Sequence, residues 1–208
     1  MGTECPESWL TEFQSTETRI AKLVPKHWGE CRKAISSSSE ENFITNNLIY
    51  HLSKDAKVRR MGYLEAQYVP FELTVENEVE SVNGKGYIDM ALVMDGDRNK
   101  YVAFECKRLN VVYPTGRQSL ATDYVNEGLR RYIDEQYSKS LPFACMLGYV
   151  MDGDLDYALT KVTKSIKSIM GESAVNPHQI ENISRFESFH QRTGGSMIRV
   201  AHSFLSVA

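Results

Sequence analysis

Three charged residues interrupt segments that otherwise read as apolar strands: Asp89 within Tyr87 to Met94, and Glu105 and Lys107 within Lys100 to Lys107. A period of two puts Tyr101, Ala103, Glu105 and Lys107 on one face of the later segment. Adjacent antiparallel strands lie about 4.8 Å apart, so Asp89 and Glu105 facing the same way would bring two carboxylates to one or two hard cations. Mg²⁺ takes oxygen ligands and keeps some of its waters, and Mn²⁺ substitutes for it. The expected shell is Asp89, Glu105, a backbone carbonyl such as that of Cys106, and a phosphate oxygen. Lys107 extends from the same face, where an ammonium can hold an attacking water or offset charge on a phosphorane-like transition state. The chemistry such a shell would support is metal-dependent hydrolysis of a phosphodiester. The bland alternative is an edge-strand acid and a solvated Glu and Lys pair.

These residues need two neighbouring strands and a helix to hold them. Tyr68 to Val82 and Tyr87 to Met94 are expected to pair through a turn at Asn83-Gly84, and Lys100 to Lys107 follows a second turn at Asp95-Gly96. Upstream, Ser37 with Glu40 and Ser38 with Glu41 both have capping-box spacing, so a helix begins there. On its wheel Glu41, Ile44, Leu48 and Leu52 share a face, which directs Glu41 rather than Glu40 inward as a third carboxylate.

Downstream, Gln118 to Tyr137 carries a helical face of Ala121, Tyr124, Val125, Gly128, Leu129 and Tyr132. Gly128 in mid-face implies close approach to a sheet. Arg130 and Arg131 on this helix fit a solvated face, with Glu127 and Arg131 pairing at i, i+4, and Gln118 at the helix start is a candidate to enter the site. Phe143 to Met151 reads as a buried strand, Leu159 to Met170 as a packed helix, and Arg185 to Leu205 as a hairpin turning at Thr193-Gly194-Gly195. His190, Arg192 and His202 fall in that hairpin without a third metal ligand, so packing explains them best. Lys161, Lys164 and Lys167 fit a solvated face as well as a nucleic-acid contact. The first 35 residues show no clean period.

The expected architecture is α/β, a mixed central sheet flanked by helices with a C-terminal hairpin. It forms one domain over 1–208, with an N-terminal extension (1–35), a core (36–151) and a C-terminal helix and hairpin (152–208). Composition agrees: the 208 residues are 42% hydrophobic and 25% charged, as in ordinary globular proteins. No apolar run reaches the ~18 residues of a membrane span. Glu4 and Glu7 stand where a secretory signal would be basic and apolar, so a cytoplasmic location is expected. Cys5, Cys31, Cys106 and Cys145 lack zinc-site spacing and read as thiols. A net charge of -3 excludes a uniformly basic surface but not a local basic cleft.

Glu41 on a helix, Asp89 in Gly86-Tyr87-Ile88-Asp89 and the triplet Glu105-Cys106-Lys107 resemble the PD-(D/E)xK nuclease superfamily, the restriction-endonuclease-like fold. The likeness runs from about Ser36 to Met151. It departs from the family pattern at Ile88, where the nominal residue is Pro. The resemblance implies an αβββαβ core and Mg²⁺-dependent cleavage of nucleic acid, DNA before RNA, leaving 5′-phosphate and 3′-hydroxyl ends. It also implies a phosphate-holding residue on the helix after the triplet, where Arg131 ranks ahead of Arg130, and a setting in restriction, repair or anti-phage defence. Target choice would come from a homodimer or a partner protein, since no recognition helix or basic stripe stands out. Some members of that superfamily are inactive, so a nucleic-acid-binding or structural subunit is the competing class.

Overall fold

A stripe of Phe13, Ile20, Val24, Trp28 and Cys31, all buried, defines helix α1 (Glu7–Cys31) in the stretch that shows no clean period in sequence. The computed structural model describes residues 7–70, 72–73, 79–81, 86–94, 96, 98, 100–138, 141–171, 176–180 and 183–208. Pro25 lies inside α1, where it removes a backbone donor at a cost of about 3 kcal/mol. Packing offsets that cost. The Trp28 ring stacks on Tyr149 at 5.7 Å, and its Nε1 donates to the Ser206 carbonyl at 2.6 Å.

Helix α2 (Glu41–Ser53) buries Ile44, Leu48 and Leu52 as the wheel requires. Neither serine capping box forms. The N-cap is Glu40, whose side chain caps nothing, while Ser36, Ser38 and Ser39 bond to one another. Short polar side chains so close together satisfy local donors before the helix begins. Helix α3 (Ala56–Met61) follows, capped by Asp55, which accepts from the Lys57 amide at 2.8 Å.

The central sheet has seven strands: β1 (Tyr63–Tyr68), β4 (Ile88–Val93), β5 (Tyr101–Leu109), β8 (Phe143–Val150), β9 (Asn176–Ile180), β10 (Ile183–Gln191) and β11 (Met197–Ser206). Their spatial order is β1-β4-β5-β8-β11-β10-β9. The pairs β5/β8 and β8/β11 are parallel and the others antiparallel, so the sheet is mixed. The expected pairing of Tyr68 to Val82 with the Asp89 strand is corrected. The partner of β4 is β1, while β2 (Glu72–Leu73) and β3 (Val79–Ser81) form a small sheet of their own. The Asn83-Gly84 turn lies outside the described residues. An apolar, Val- and Phe-rich run marks extended backbone but does not choose a partner.

The expected helix from Gln118 to Tyr137 is also corrected. Gln118 ends a short hairpin of β6 (Val111–Tyr113) and β7 (Gly116–Gln118), turning at a Gly116 with φ of +121°. The helix comes in three pieces: α4 (Ala121–Asp123), a π-helical turn over Tyr124–Leu129, and α5 (Arg130–Ile133). Its apolar face is as expected, with Tyr124, Val125, Leu129 and Tyr132 fully buried. Helix α6 (Leu155–Met170) buries Ala158, Val162 and Ile166.

One buried cluster joins side chains of α1, the sheet and α6. Cys31, Cys106 and Cys145 are buried free thiols within it. Phe186, Ser188, His190 and Arg192 are buried together on β10 and the residue after it, and His202 bonds to Tyr124 and Ser188, so the histidines pack as expected. Among the described residues no helix is long and apolar enough to cross a membrane.

Gly148 on β8 gives a direct test of this packing. A Cβ there would lie 2.6 Å from Phe204 Cδ1 and 2.7 Å from Leu109 Cδ1, both in fully buried side chains. Gly148→Ala is expected to destabilise the fold by about 1–3 kcal/mol through overpacking. Denaturant unfolding measures it; an unchanged midpoint at unchanged slope would show that Phe204 can move aside.

Candidate metal and phosphate centre

The centre forms where β4 and β5 part. Their ladder runs from Val93↔Tyr101 to Met90↔Phe104, and the same register carried one residue further sets Asp89 opposite Glu105. Residues opposite each other in an antiparallel pair face the same way. Just beyond that point Asp89 Oδ2 accepts from the Cys106 amide at 2.7 Å. The acid thereby satisfies a sheet donor and is held in place.

Glu105 lies under the π-helical turn and is fully buried. A Cβ on Gly128 would fall 2.6 Å from Met146 Cε, 3.5 Å from Glu105 Cγ and 3.6 Å from Lys107 Cγ. The glycine is therefore what lets the helix backbone descend onto the two charged side chains. Arg131 Nη1, one turn on, donates to Glu105 Oε1 at 2.8 Å and to the Tyr137 hydroxyl at 3.1 Å. The Tyr137 hydroxyl donates in turn to the Tyr87 carbonyl at 2.5 Å, which ties this helix to the start of β4.

Lys107 Nζ sits among three acids, 3.0 Å from Glu105 Oε1, 3.3 Å from Glu41 Oε1 and 3.8 Å from Asp89 Oδ2, and donates to the Cys106 carbonyl at 3.0 Å. Glu41 arrives from the first turn of α2, and its Oε2 accepts from the Arg108 amide at 2.9 Å. The neighbouring Glu40 points to solvent, 76% exposed, and pairs with the Arg108 guanidinium at 3.1 Å. The structure thus brings together Glu41, Asp89, Glu105, Cys106, Lys107 and Arg131.

Gln118 is not drawn in. It is exposed and pairs with Val111 in the β6/β7 hairpin instead of opening the helix. Arg131 engages Glu105 rather than Glu127, and burial of Glu105 removes the reading of a solvated Glu and Lys pair. Two residues escape sequence reasoning: Tyr137, which has no local signal, and Arg108, whose only mark is a second basic residue after Lys107.

Three carboxylates face two cations here, Lys107 and Arg131. Burial first, and then the Asp89 charge, pushes the Glu105 carboxyl up to about 7. Burial also raises Glu41, against the pull of Lys107. Burial works against charge on Lys107, but Glu105, Asp89 and Glu41 outweigh it and hold the ammonium firmly protonated. Glu105 Oε2 is buried without a hydrogen-bond partner. An excess carboxylate and an orphaned hard oxygen leave the charge balance of this cluster short of one small cation. Among the described residues no group of three or more His, Cys, Asp or Glu side chains is placed to hold a metal ion.

Comparison with family models, with curated proteins and with solved structures finds no match to this chain.

Proposed function

We propose that this chain is a Mg²⁺-dependent phosphodiesterase acting on nucleic acid, DNA in the first instance, with a core of the restriction-endonuclease type. The observation that carries the reading is the buried excess of carboxylate around Lys107, with Glu105 Oε2 lacking any donor. An uncompensated buried acid costs several kcal/mol, so its natural partner is a cation that the site takes up. The order of elements supports the same reading. Helix α2, strands β1, β4 and β5, the broken helix and strand β8 follow the αβββαβ succession, with acids on α2, β4 and β5.

Asp89, Glu105 and the Cys106 carbonyl would hold Mg²⁺ or Mn²⁺. When bound, the ion lowers the pKa of a ligated water and offsets phosphate charge. Lys107 donates to the attacking water or to a non-bridging phosphate oxygen, and stabilises charge that grows as phosphorus becomes five-coordinate. Glu41 holds Lys107 at that point and can accept a hydrogen bond from the water. Arg131 is about a third exposed (32%), which leaves N–H groups to grip a phosphate oxygen while Nη1 stays on Glu105. Water attacks phosphorus in line, the P–O3′ bond breaks, and the products carry 5′-phosphate and 3′-hydroxyl ends. A defence role, and a dimer or partner protein that selects the target, belong to the same proposal.

The test is a cleavage panel on plasmid, linear duplex, single-stranded DNA and RNA, with Mg²⁺, Mn²⁺ or EDTA. Metal-dependent cleavage of DNA is expected. Cleavage of RNA alone would move the substrate class, and none with either metal would leave a binding or structural role.

Glu41 and Glu40 separate direction from mere charge. Both lie at the positive end of α2, so either loss can cost a few tenths of a kcal/mol of stability. Only Glu41 touches Lys107. Glu41→Gln is expected to lower metal-saturated turnover at least about tenfold, while Glu40→Gln stays near wild type. Turnover of the two variants at saturating Mg²⁺ decides it, and the reverse order would assign the role to Glu40.

A further inference from the structure

A second charged feature lies away from the carboxylates. Helices α1 and α3 wall a cleft of about 370 Å³ lined by Arg19, Lys22, Leu23, Lys57, Arg60 and Met61. It runs into a second cleft of about 430 Å³ that shares Arg19, Arg60 and Met61 and adds the Glu12 carboxylate and the hydroxyls of Thr11, Ser15 and Thr16. Together they form one groove along α1.

Arg19 and Lys22 are three residues apart on α1, and Lys57 and Arg60 are three apart on α3. That spacing puts each like-charged pair on one helix face, which is destabilising by a few tenths of a kcal/mol per pair. All four are exposed, and among the described residues none of the four side chains has a carboxylate within ion-pair distance. The acids nearby are already engaged. Asp55 is taken by Lys26 at 2.8 Å and by His27, and Glu12 by Lys100 at 2.6 Å. In a chain of net charge -3, four cations aligned across a hydroxyl-bearing groove, with their local acids neutralised, form a site for a row of anions.

The groove's place in the fold says which anion. Glu41 is the first residue of α2, and α3 begins just past the last residue of that helix. Thirteen helical residues span about 20 Å, so the groove stands roughly six base pairs' length from the acid cluster. Tyr63, two residues beyond Met61, pairs with Val93 at the end of β4 remote from Asp89, which agrees with that separation. We propose that the α1/α3 groove binds the phosphate backbone of the nucleic acid at a point distant from the one being cut, so that Arg19, Lys22, Lys57 and Arg60 anchor the substrate. The choice of nucleic acid as the polyanion rests on the phosphodiesterase reading above; the groove's affinity for phosphates does not.

Binding of a labelled duplex of about 25 base pairs, measured in EDTA between about 50 and 200 mM salt, tests it, because each phosphate contact contributes about -0.9 to the slope of log K against log salt. The variant Arg19→Gln/Lys22→Gln/Lys57→Gln/Arg60→Gln should lose roughly three to four from that slope and bind at least tenfold more weakly at low salt. A control variant, Lys161→Gln/Lys164→Gln/Lys167→Gln on α6, should bind as wild type does. Metal-dependent hydrolysis of the small diester bis(p-nitrophenyl) phosphate should be equal in wild type and the groove variant, while cleavage of the duplex falls through KM. An unchanged salt slope in the groove variant, or an equal loss in the α6 control, overturns the anchor. Groove-dependent binding by a wild-type protein that cleaves neither substrate keeps the anchor and removes the phosphodiesterase reading. Cleavage by wild type with a groove variant that binds and cuts equally well removes the anchor alone.

Discussion

Replacing Lys107 by alanine should reduce nucleic-acid cleavage by about 10²–10³-fold, the usual effect of removing one donor aimed at developing charge. The ammonium lies within 4 Å of all three acids and is the only side-chain nitrogen that bridges Glu41 to Asp89 and Glu105 among the described residues. Its loss leaves Arg131 alone against three carboxylates. The variant should therefore also unfold more easily at neutral pH in EDTA, by a few kcal/mol, and recover part of that loss as the acids take up protons. Single-turnover cleavage at saturating Mg²⁺, beside thermal unfolding at pH 5 and pH 8, separates the two effects. Cleavage within about threefold of wild type would remove Lys107 from the chemistry.

Glu105→Gln is expected to behave oppositely in stability and alike in activity. The Glu105 carboxyl is raised from 4.5 to about 7 by burial and then by Asp89. Between those values this carboxyl binds more protons in the folded protein than in the unfolded chain, so its contribution is complete below about 4.5 and is lost as pH rises through about 7. The span corresponds to about 3 kcal/mol. Buried His190 and His202 have values lowered by burial and tilt stability the other way over part of the same window. The difference between wild type and Glu105→Gln is therefore the quantity to read. In EDTA the variant should be the more stable protein at pH 8, with the advantage gone near pH 4.5, and hydrolysis should fall at least a hundredfold. Mg²⁺ at about 100 times its dissociation constant should stabilise wild type at pH 8 by about 2.7 kcal/mol and leave Glu105→Gln nearly unmoved. Equal response of the two proteins to Mg²⁺ would take Glu105 out of the metal shell.

The amino-acid sequence is enough to place Asp89, Glu105 and Lys107 on neighbouring strands, because strand period and isolated charges in apolar runs are local signals. Glu41 over Glu40 follows from the helix wheel for the same reason, since Ile44, Leu48 and Leu52 fix which side of α2 is inward. Gly128 announces a close approach, and the hydrophobic face from Ala121 to Tyr132 survives even though the helix carrying it is broken.

Tertiary structure decides the rest. The order β1-β4-β5-β8-β11-β10-β9 depends on which strand edges meet, and apolar alternation is indifferent to the partner, which is why β1 rather than the run after Tyr68 pairs with β4. Helix α1 is held by Trp28 on Tyr149 and by Phe13 and Ile20 in the core, contacts with residues far along the chain that outweigh Pro25. The swing of Arg131 from Glu127 to Glu105 needs the π turn and the Tyr137 link to Tyr87. The alignment of Arg19 and Lys22 with Lys57 and Arg60 exists only because α1 and α3 lie side by side. Local pattern sets which way a side chain faces along its own element. What it faces is set by long-range burial, because apolar area and buried charge find their lowest free energy only when distant segments are packed together.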